Sequence, residues 1–310
     1  MRKVWLSLGA AVFAASCLGG AGGEAFALSK TRECLELEQE YAQIERYAST
    51  IQVNELLFSA ARKDCEPLAK LLLDKGASLE ARDRIGARPL TAAAVAGHEN
   101  LVALFLDHGA AIDAQDLRGS TALYRAAETG RFDVVQVLVQ RGADVNLPGR
   151  DRITPLVAAA YMGSVPMVEF LIENGADLNA TDRYGKGAMA YAAGRGFTPV
   201  VQALLDGGVD VNVRYGFGLT ALMWAAGHSS DAGSRDIQKT IALLLDRGAQ
   251  IDGQDERGRT ALMIAAEVGH GSVAELLTSR GADRTLRDEE GKTAEDLASN
   301  DAIRANVAAK

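Results

Sequence analysis

The stretch DLRGSTALYRAAETGRFDVVQVLVQRGADVNL, residues 116–147, holds the pattern that decides the fold. Its glycine-containing turn is followed by Thr121, whose hydroxyl suits the N-cap of a helix. The small residues after it predict a short first helix. That helix should end near Gly130, because glycine accepts the left-handed conformation at a helix C-terminus.

The second helix of the stretch is amphipathic. Its apolar side chains are spaced one, three and four residues apart, which places them on one face that can pack against a core. Gly142 is expected to end the helix. These side chains are Val134, Val135, Leu138 and Val139. Neither helix can bury its apolar face alone, so copies of the unit must stack into an all-α repeat solenoid.

The unit recurs along the chain in a fixed phase. A glycine after each second helix recurs at intervals of 33 residues, with a single interval of 40. The glycines are Gly76, Gly109, Gly142, Gly175, Gly208, Gly248 and Gly281. The longer interval places seven extra residues between the two helices of the sixth copy, where the composition from Gly227 to Ser234 favours a loop. We interpret it as a tolerated surface loop or a secondary contact, with the next helix beginning near Ser234 or Asp236.

Two copies carry the motifs most clearly: DRIGARPLTAAAVAGHENLVALFLDHGA, residues 83–110, and ITPLVAAAYMGSVPMVEFLIENGADLN, residues 153–179. Their turn, TPL-like helix start, Gly-His step and GADVN-like ending resemble the ankyrin-repeat family, and in outline the exported bacterial members of it. The resemblance implies stacked helix-turn-helix repeats with short β-hairpin or turn fingers. The chain departs from the family pattern at the histidine usual after TPL and at Gly187, which replaces the opening threonine.

The phased units suggest a division of the chain. Residues 1–27 are interpreted as a signal peptide, 28–52 as an N-terminal capping helix and 53–286 as seven ankyrin repeats. The sixth repeat, about 214–253, carries the insertion. Residues 287–310 are interpreted as a partial C-terminal capping repeat, since the ends of a solenoid need polar caps.

The N-terminus has the features of a secretory signal. Arg2 and Lys3 precede an apolar run that ends at Cys17, and Ala25 and Ala27 favour cleavage near Ala27. The run is shorter than the roughly 20 residues that cross a bilayer. We therefore expect no transmembrane segment and a periplasmic or secreted protein. A lipid anchor at Cys17 is the minority interpretation.

Two cysteines remain after such a cleavage. Cys34 and Cys65 both lie in stretches with helical spacing, and an exported protein can oxidise such a pair. A disulfide that fixes the N-terminal helix to the repeats is one hypothesis, and two buried thiols are the other. The chain has no CxxC motif, so a catalytic redox pair is not expected.

Composition and motifs argue against catalysis and nucleic acid. The formal net charge is −8, and losing two basic residues and one acidic residue with segment 1–27 makes it −9, which opposes nucleic-acid binding. No HExxH, GxSxG or Walker motif occurs. Three of the four histidines follow glycine at helix connections, which favours a structural role over metal binding. We expect a non-enzymatic protein with no cofactor and no metal.

The resemblance implies that a protein partner binds the concave surface formed by the fingers and the first helices. Arginine leads along the fingers, and Tyr184, Tyr215 and Phe217 are expected to cluster near the middle. The candidate binding residues are Arg84, Arg118, Arg150, Tyr161, Met162, Arg183, Tyr184, Arg195 and Phe217. The expected function is a scaffold, inhibitor or partner-stabilising module for an unidentified protein. The alternatives are a secreted effector that binds a host protein and, third, a small-ligand binder or enzyme.

Overall fold

A computed structural model describes residues 21–227 and 234–308 of the chain. These residues form 17 α-helices, two short 3-10 segments and no β-strand beyond isolated bridges. Helix α1 (Ala21–Ile44) comes first, seven helix pairs follow it, and a shorter pair ends the array. The first helices of the seven pairs are α2 (Thr50–Lys63), α4 (Pro89–Ala96), α6 (Ala122–Glu128), α8 (Pro155–Met162), α10 (Ala188–Gly194), α12 (Ala221–Ala226) and α14 (Ala261–Val268). The second helices are α3 (Glu66–Asp74), α5 (Glu99–Asp107), α7 (Phe132–Gln140), α9 (Val165–Glu173), α11 (Thr198–Asp206), α13 (Ser234–Asp246) and α15 (Gly271–Ser279). The closing pair is α16 (Ala294–Leu297) and α17 (Asp301–Val307).

The helix signals of the sequence act as expected in the unit formed by α6 and α7. The Thr121 hydroxyl oxygen accepts a hydrogen bond from the backbone N–H of Tyr124 at 3.1 Å, which caps α6. Gly130 and Gly142 follow the two helices with φ of 72° and 89°. The prediction of an N-cap threonine and glycine helix stops is therefore confirmed for this unit.

Methionine replaces the usual histidine in two of the later repeats and takes part in the cap. The Met223 sulfur accepts a hydrogen bond from the backbone N–H of Thr220 at 3.4 Å, and Met263 does the same for Thr260. Because thioether sulfur is a weak acceptor, this bond holds the loop less firmly than a stronger acceptor would.

The core is built by stacking each unit on the next. Helix α10 packs against both α8 and α12, and α4 packs against both α2 and α6. Val134, Val135 and Leu138 of α7 are buried, while Val139 is half-buried. Full burial of one such side chain contributes about 1.5–3 kcal/mol. The core therefore runs the length of the array, with no single central cluster.

Helix α1 covers the N-terminal end of this core. Leu37 and Tyr41 of α1 are buried. A disulfide joins Cys34 of α1 to Cys65, which precedes α3, with 5.4 Å between the Cα atoms. Helix α1 starts at Ala21, so the cleavage position expected near Ala27 lies within it. The rest of the expected signal peptide, including Cys17, lies outside the described residues.

The sixth repeat keeps both helices. Helix α12 ends at Ala226 and α13 begins at Ser234, one of the two starts expected from the apolar spacing. Helix α13 has 13 residues where α11 has nine, so it gains about one turn at its start. Residues 228–233, most of the predicted loop, lie outside the described part of the chain. Among the helices that are described, none combines the length and apolarity needed to span a membrane.

Candidate protein-binding surface

Successive repeats are connected by tight turns, which we call fingers. In the described residues seven fingers are each closed by a backbone hydrogen bond from their first residue to the carbonyl of their fifth, as in Asp182 N–H to Lys186 O at 3.0 Å. The seven are residues 83–87, 116–120, 149–153, 182–186, 215–219, 255–259 and 288–292. Neighbouring fingers are also bonded to each other, for example Glu256 N–H to Phe217 O at 3.1 Å. The fingers therefore form a continuous row of turns with no strands.

Five fingers use aspartate to hold the turn. Asp182 is typical, since its Oδ1 accepts hydrogen bonds from the backbone N–H groups of Tyr184 at 2.8 Å and Lys186 at 2.9 Å. The equivalent residues of the other four fingers are Asp83, Asp116, Asp255 and Asp288. An Asx-type turn of this kind fixes the backbone from within the finger.

Two fingers begin with Gly149 and Tyr215 instead, and both have a different turn. Their third and fourth residues are left-handed in succession, with φ of 63° at Phe217 and 73° at the following glycine. Phe217 is also 75% exposed. A bulky residue with positive φ is a genuine backbone outlier that costs about 1–3 kcal/mol, and such outliers cluster at functional positions.

The prediction that Tyr215 joins an exposed aromatic cluster is wrong. Tyr215 is only 6% exposed and packs over Gly187, where a Cβ atom would lie 2.6 Å from Cε1 of the ring. The missing threonine at position 187 therefore makes room for this ring. Tyr184, at 56% exposure, and Phe217 remain as exposed aromatic residues at equivalent positions of two neighbouring fingers.

The predicted basic row is exposed but is partly neutralised at its centre. Arg84, Arg118, Arg150 and Arg183 all lie at exposed finger positions. Asp151 forms ion pairs with two of them, at 2.8 Å between its Oδ1 and Arg183 Nη1 and at 3.5 Å between its Oδ2 and Arg150 Nε. The Arg183 guanidinium also lies 4.6 Å from the Tyr184 ring and hydrogen-bonds its hydroxyl. The centre of the row is therefore more aromatic than cationic.

The first helices add a groove beside the fingers. Tyr161 and Met162 are exposed at the end of α8, and with Arg150, Tyr124 and Tyr191 they line a groove of about 210 Å³. Tyr124 and Glu128, also in the lining, are joined by a hydrogen bond of 3.1 Å from the phenol to the carboxylate. Three of the predicted residues, on two neighbouring structural elements, therefore meet at one groove.

Arg195 caps α10 beside this groove. Its guanidinium lies 4.4 Å from the centre of the Tyr161 ring and 5.2 Å from that of Phe197. The Tyr161 and Tyr191 rings meet edge to face, with 5.5 Å between the ring centres. Arg195 and Tyr161, both among the candidate binding residues, are therefore in direct contact in the structure.

Three residues of this surface were not predicted from the sequence. Tyr191 donates a hydrogen bond from its hydroxyl to Oδ2 of Asp182 at 2.6 Å, and Lys186 Nζ lies 4.5 Å from the Trp224 ring. Burial, followed by the bond to Asp182, raises the pKa of Tyr191 above its ordinary value. The sequence held a signal for two of them. Tyr191 and Trp224 occupy the same position in successive repeats, 33 residues apart, and the equivalent residue of α8 is the small Ala158.

The described histidines of the Gly-His steps join neighbouring repeats. Nε2 of His98 lies 3.1 Å from the Arg62 carbonyl oxygen, and Nδ1 of His270 lies 2.8 Å from that of Ala226. Each ring therefore contacts the backbone of the preceding unit. His228 lies outside the described residues.

Comparison with known proteins agrees with this architecture. The family model of ankyrin repeats matches the chain in three copies, over residues 56–149, 147–215 and 189–288. The comparison with curated proteins gives no match. Since the family matches cover well over half of the chain, the protein belongs to the ankyrin-repeat family.

Proposed function

We propose that this protein is an exported, non-enzymatic module that binds another protein through its fingers and first helices. Ankyrin repeats generally mediate protein–protein interaction. The binding surface would centre on the fingers at 182–186 and 215–219 and on the groove at the end of α8. Bound there, the module would act as a scaffold, an inhibitor or a stabiliser of its partner.

The exposed, left-handed Phe217 is the observation that carries this proposal. Its ring lies in solvent at 75% exposure while its backbone is held at a φ of 63°. The Phe217 backbone contributes to the finger row, because its carbonyl oxygen accepts a hydrogen bond from Glu256 N–H, but the exposed ring adds little packing. A partner that buries the Phe217 and Tyr184 rings would stabilise this arrangement, since aromatic side chains anchor protein interfaces.

Export rests on two independent features. The first is the N-terminal pattern of basic residues, apolar run and small residues up to Ala27. The second is the Cys34–Cys65 bond, because disulfides persist in oxidising compartments. Cleavage after Ala27 would keep Cys34, Leu37 and Tyr41, the residues that attach α1 to the array.

The test is affinity capture from periplasmic extract with the full chain, followed by mass spectrometry. We expect the double variant Tyr184→Asp with Phe217→Asp to lose the proteins that the wild type captures, with unchanged thermal unfolding. Two charges would then occupy a surface that must be desolvated.

The matched control carries the same change at two other exposed apolar residues. Tyr47 and Leu71 are 72% and 40% exposed near the N-terminal end, and neither lies on a finger or a first helix. Tyr47→Asp with Leu71→Asp should retain capture. The proposed surface is wrong if the finger variant captures the same proteins as the wild type, or if both double variants lose them equally.

A further inference from the structure

Two cationic and three aromatic side chains are in continuous contact along the surface formed by the first helices and a finger. The Arg195 guanidinium lies 4.4 Å from the centre of the Tyr161 ring, and the centres of the Tyr161 and Tyr191 rings are 5.5 Å apart. Lys186 Nζ lies 5.6 Å from the centre of the Tyr191 ring and 4.5 Å from that of Trp224. We call these five residues the cation–aromatic run. They come from α8, α10, α12 and one finger, so the stacking of repeats creates the run.

The two cations of the run have no anionic partner in the part of the chain that the structure describes. Within residues 21–227 and 234–308, neither Arg195 nor Lys186 forms an ion pair. Elsewhere on this surface arginines do pair, as Arg183 does with Asp151 at 2.8 Å. A cation held over a ring gains about 0.5–2 kcal/mol, but its remaining donors still need acceptors.

The carboxylates of Glu128 and Asp182, which contact the tyrosines of this surface, accept hydrogen bonds from other groups. Glu128 accepts hydrogen bonds from Tyr124 and from Arg125. Asp182 accepts them from the Tyr191 hydroxyl and from two backbone N–H groups of its own finger. Among the described residues, neither carboxylate accepts a hydrogen bond from Arg195 or Lys186.

Two donors in the run are buried and unsatisfied. Nε of Arg195 and Nε1 of Trp224 are inaccessible to solvent and have no hydrogen-bond partner among the described residues. Leaving such a donor unpaired costs about 1–3 kcal/mol, and unsatisfied groups of this kind are uncommon in native proteins. A ligand with carboxylate oxygens fits the charge of the run. It would meet the half-buried Arg195 and Lys186 through their other N–H groups, because the two buried donors are closed to solvent.

We infer that Arg195 and Lys186 bind two carboxylates of an acidic segment of the protein partner, with the rings of the run as their platform. The inference rests on the proposed function and specifies the partner's chemistry. Two cations separated by two rings in edge-to-face contact favour a segment with several carboxylates over a single small ion. Nucleic acid is disfavoured, because the chain carries 41 acidic and 33 basic side chains.

Trp224 provides a reporter inside the site. The chain has two tryptophans, Trp5 and Trp224, so Trp5→Phe leaves one. The full chain with Trp5→Phe is titrated with acetylated, amidated hexaglutamate while the fluorescence is recorded. We expect a saturable change in Trp224 emission with hexaglutamate and none with hexalysine. Inorganic phosphate at equal charge should bind at least tenfold more weakly.

Variants assign the binding to the run. Arg195→Gln and Lys186→Gln should each weaken hexaglutamate binding about tenfold, the loss typical of one charge-assisted hydrogen bond. Arg195→Lys, which keeps the charge but loses the planar donors, should fall in between. Lys70→Gln removes the same charge from an exposed position on α3 and should leave binding within twofold of the parent.

Several results would overturn the inference. They are the absence of a saturable change with hexaglutamate in the parent chain, equal binding of phosphate, and an equal loss in Lys70→Gln. The parent titration needs no variant, so a failure of the variants to fold cannot hide the answer. If hexaglutamate does not bind while capture still depends on Tyr184 and Phe217, this inference fails and the proposed function stands.

Discussion

Reduction of the Cys34–Cys65 disulfide is expected to loosen α1 and leave the distant repeats unchanged. The bond closes a segment with a sequence separation of 31. In the chain-entropy description, a closed loop of that length stabilises the native state by about 3.7 kcal/mol at 25 °C. Since about 1.4 kcal/mol is a factor of ten, opening around α1 should become on the order of 400-fold more frequent.

The effect should be local because each repeat contacts only its neighbours. Burial of Leu37 and Tyr41 keeps α1 docked after reduction, since a large buried apolar side chain contributes about 1.5–3 kcal/mol. Reduced protein should therefore stay folded but open more often at this end. The helices in the middle of the array, such as α8 and α9, should not respond.

Hydrogen–deuterium exchange followed by mass spectrometry measures this opening directly. Peptides from α1 and α2 should exchange faster with dithiothreitol, while peptides from α8 and α9 should not change. Cys34→Ala should match the reduced wild type and show no further response to dithiothreitol. The reasoning is refuted if α1 exchanges at the same rate in both redox states, or if exchange rises uniformly along the chain.

Three further predictions follow from the finger geometry and the buried tyrosines. Gly149→Ala should lower the free energy of unfolding, measured in urea, by about 1–3 kcal/mol, because a Cβ at residue 149 would lie 2.1 Å from Cδ1 of the buried Tyr124 ring. Adding Tyr124→Leu should offset part of that loss. Strictly additive losses in the double variant would count against the clash. Phe217→Gly should raise the stability measured by thermal unfolding by about 1 kcal/mol through relief of the left-handed backbone, while partner capture falls; a loss of stability would contradict the strain. Burial raises the pKa of Tyr124, Tyr191 and Tyr215, so their contribution to stability is complete below pH about 10 and is lost as pH rises above it. In an absorbance titration these phenols should ionise after the exposed ones, and simultaneous ionisation of all seven tyrosines of a folded chain would refute this.

The repeat architecture was predictable because its signals are local to each repeat and recur in every copy. The phase of the glycines places every helix pair, and the hydroxyl of Thr121 and the positive φ of Gly130 are single-residue properties. The start of α13 at Ser234 also followed from apolar spacing alone. Stacking then needs no further information, because each copy can bury its apolar face only against the next.

The exposure of a site residue could be predicted from the sequence only where its position within the repeat is enough to decide it. Tyr184 and Phe217 are exposed as expected, but Tyr215 is buried, because the space it fills is created by Gly187 of the preceding repeat. Lys186 and Trp224 were missed for the same reason, since their contact joins two different repeats. Pairwise contacts between copies are not visible within either copy alone.

The backbone bonds between neighbouring fingers have a consequence for affinity. Leu117 N–H to Ile85 O at 3.0 Å, Arg183 N–H to Asp151 O at 2.9 Å and Gly216 N–H to Gly185 O at 2.9 Å fix the spacing of successive fingers before any partner arrives. A partner that engages one finger meets the next at a high effective concentration and orders little loop on binding. Discrimination between partners should then depend on the distance between their contact groups as strongly as on the chemistry of each group.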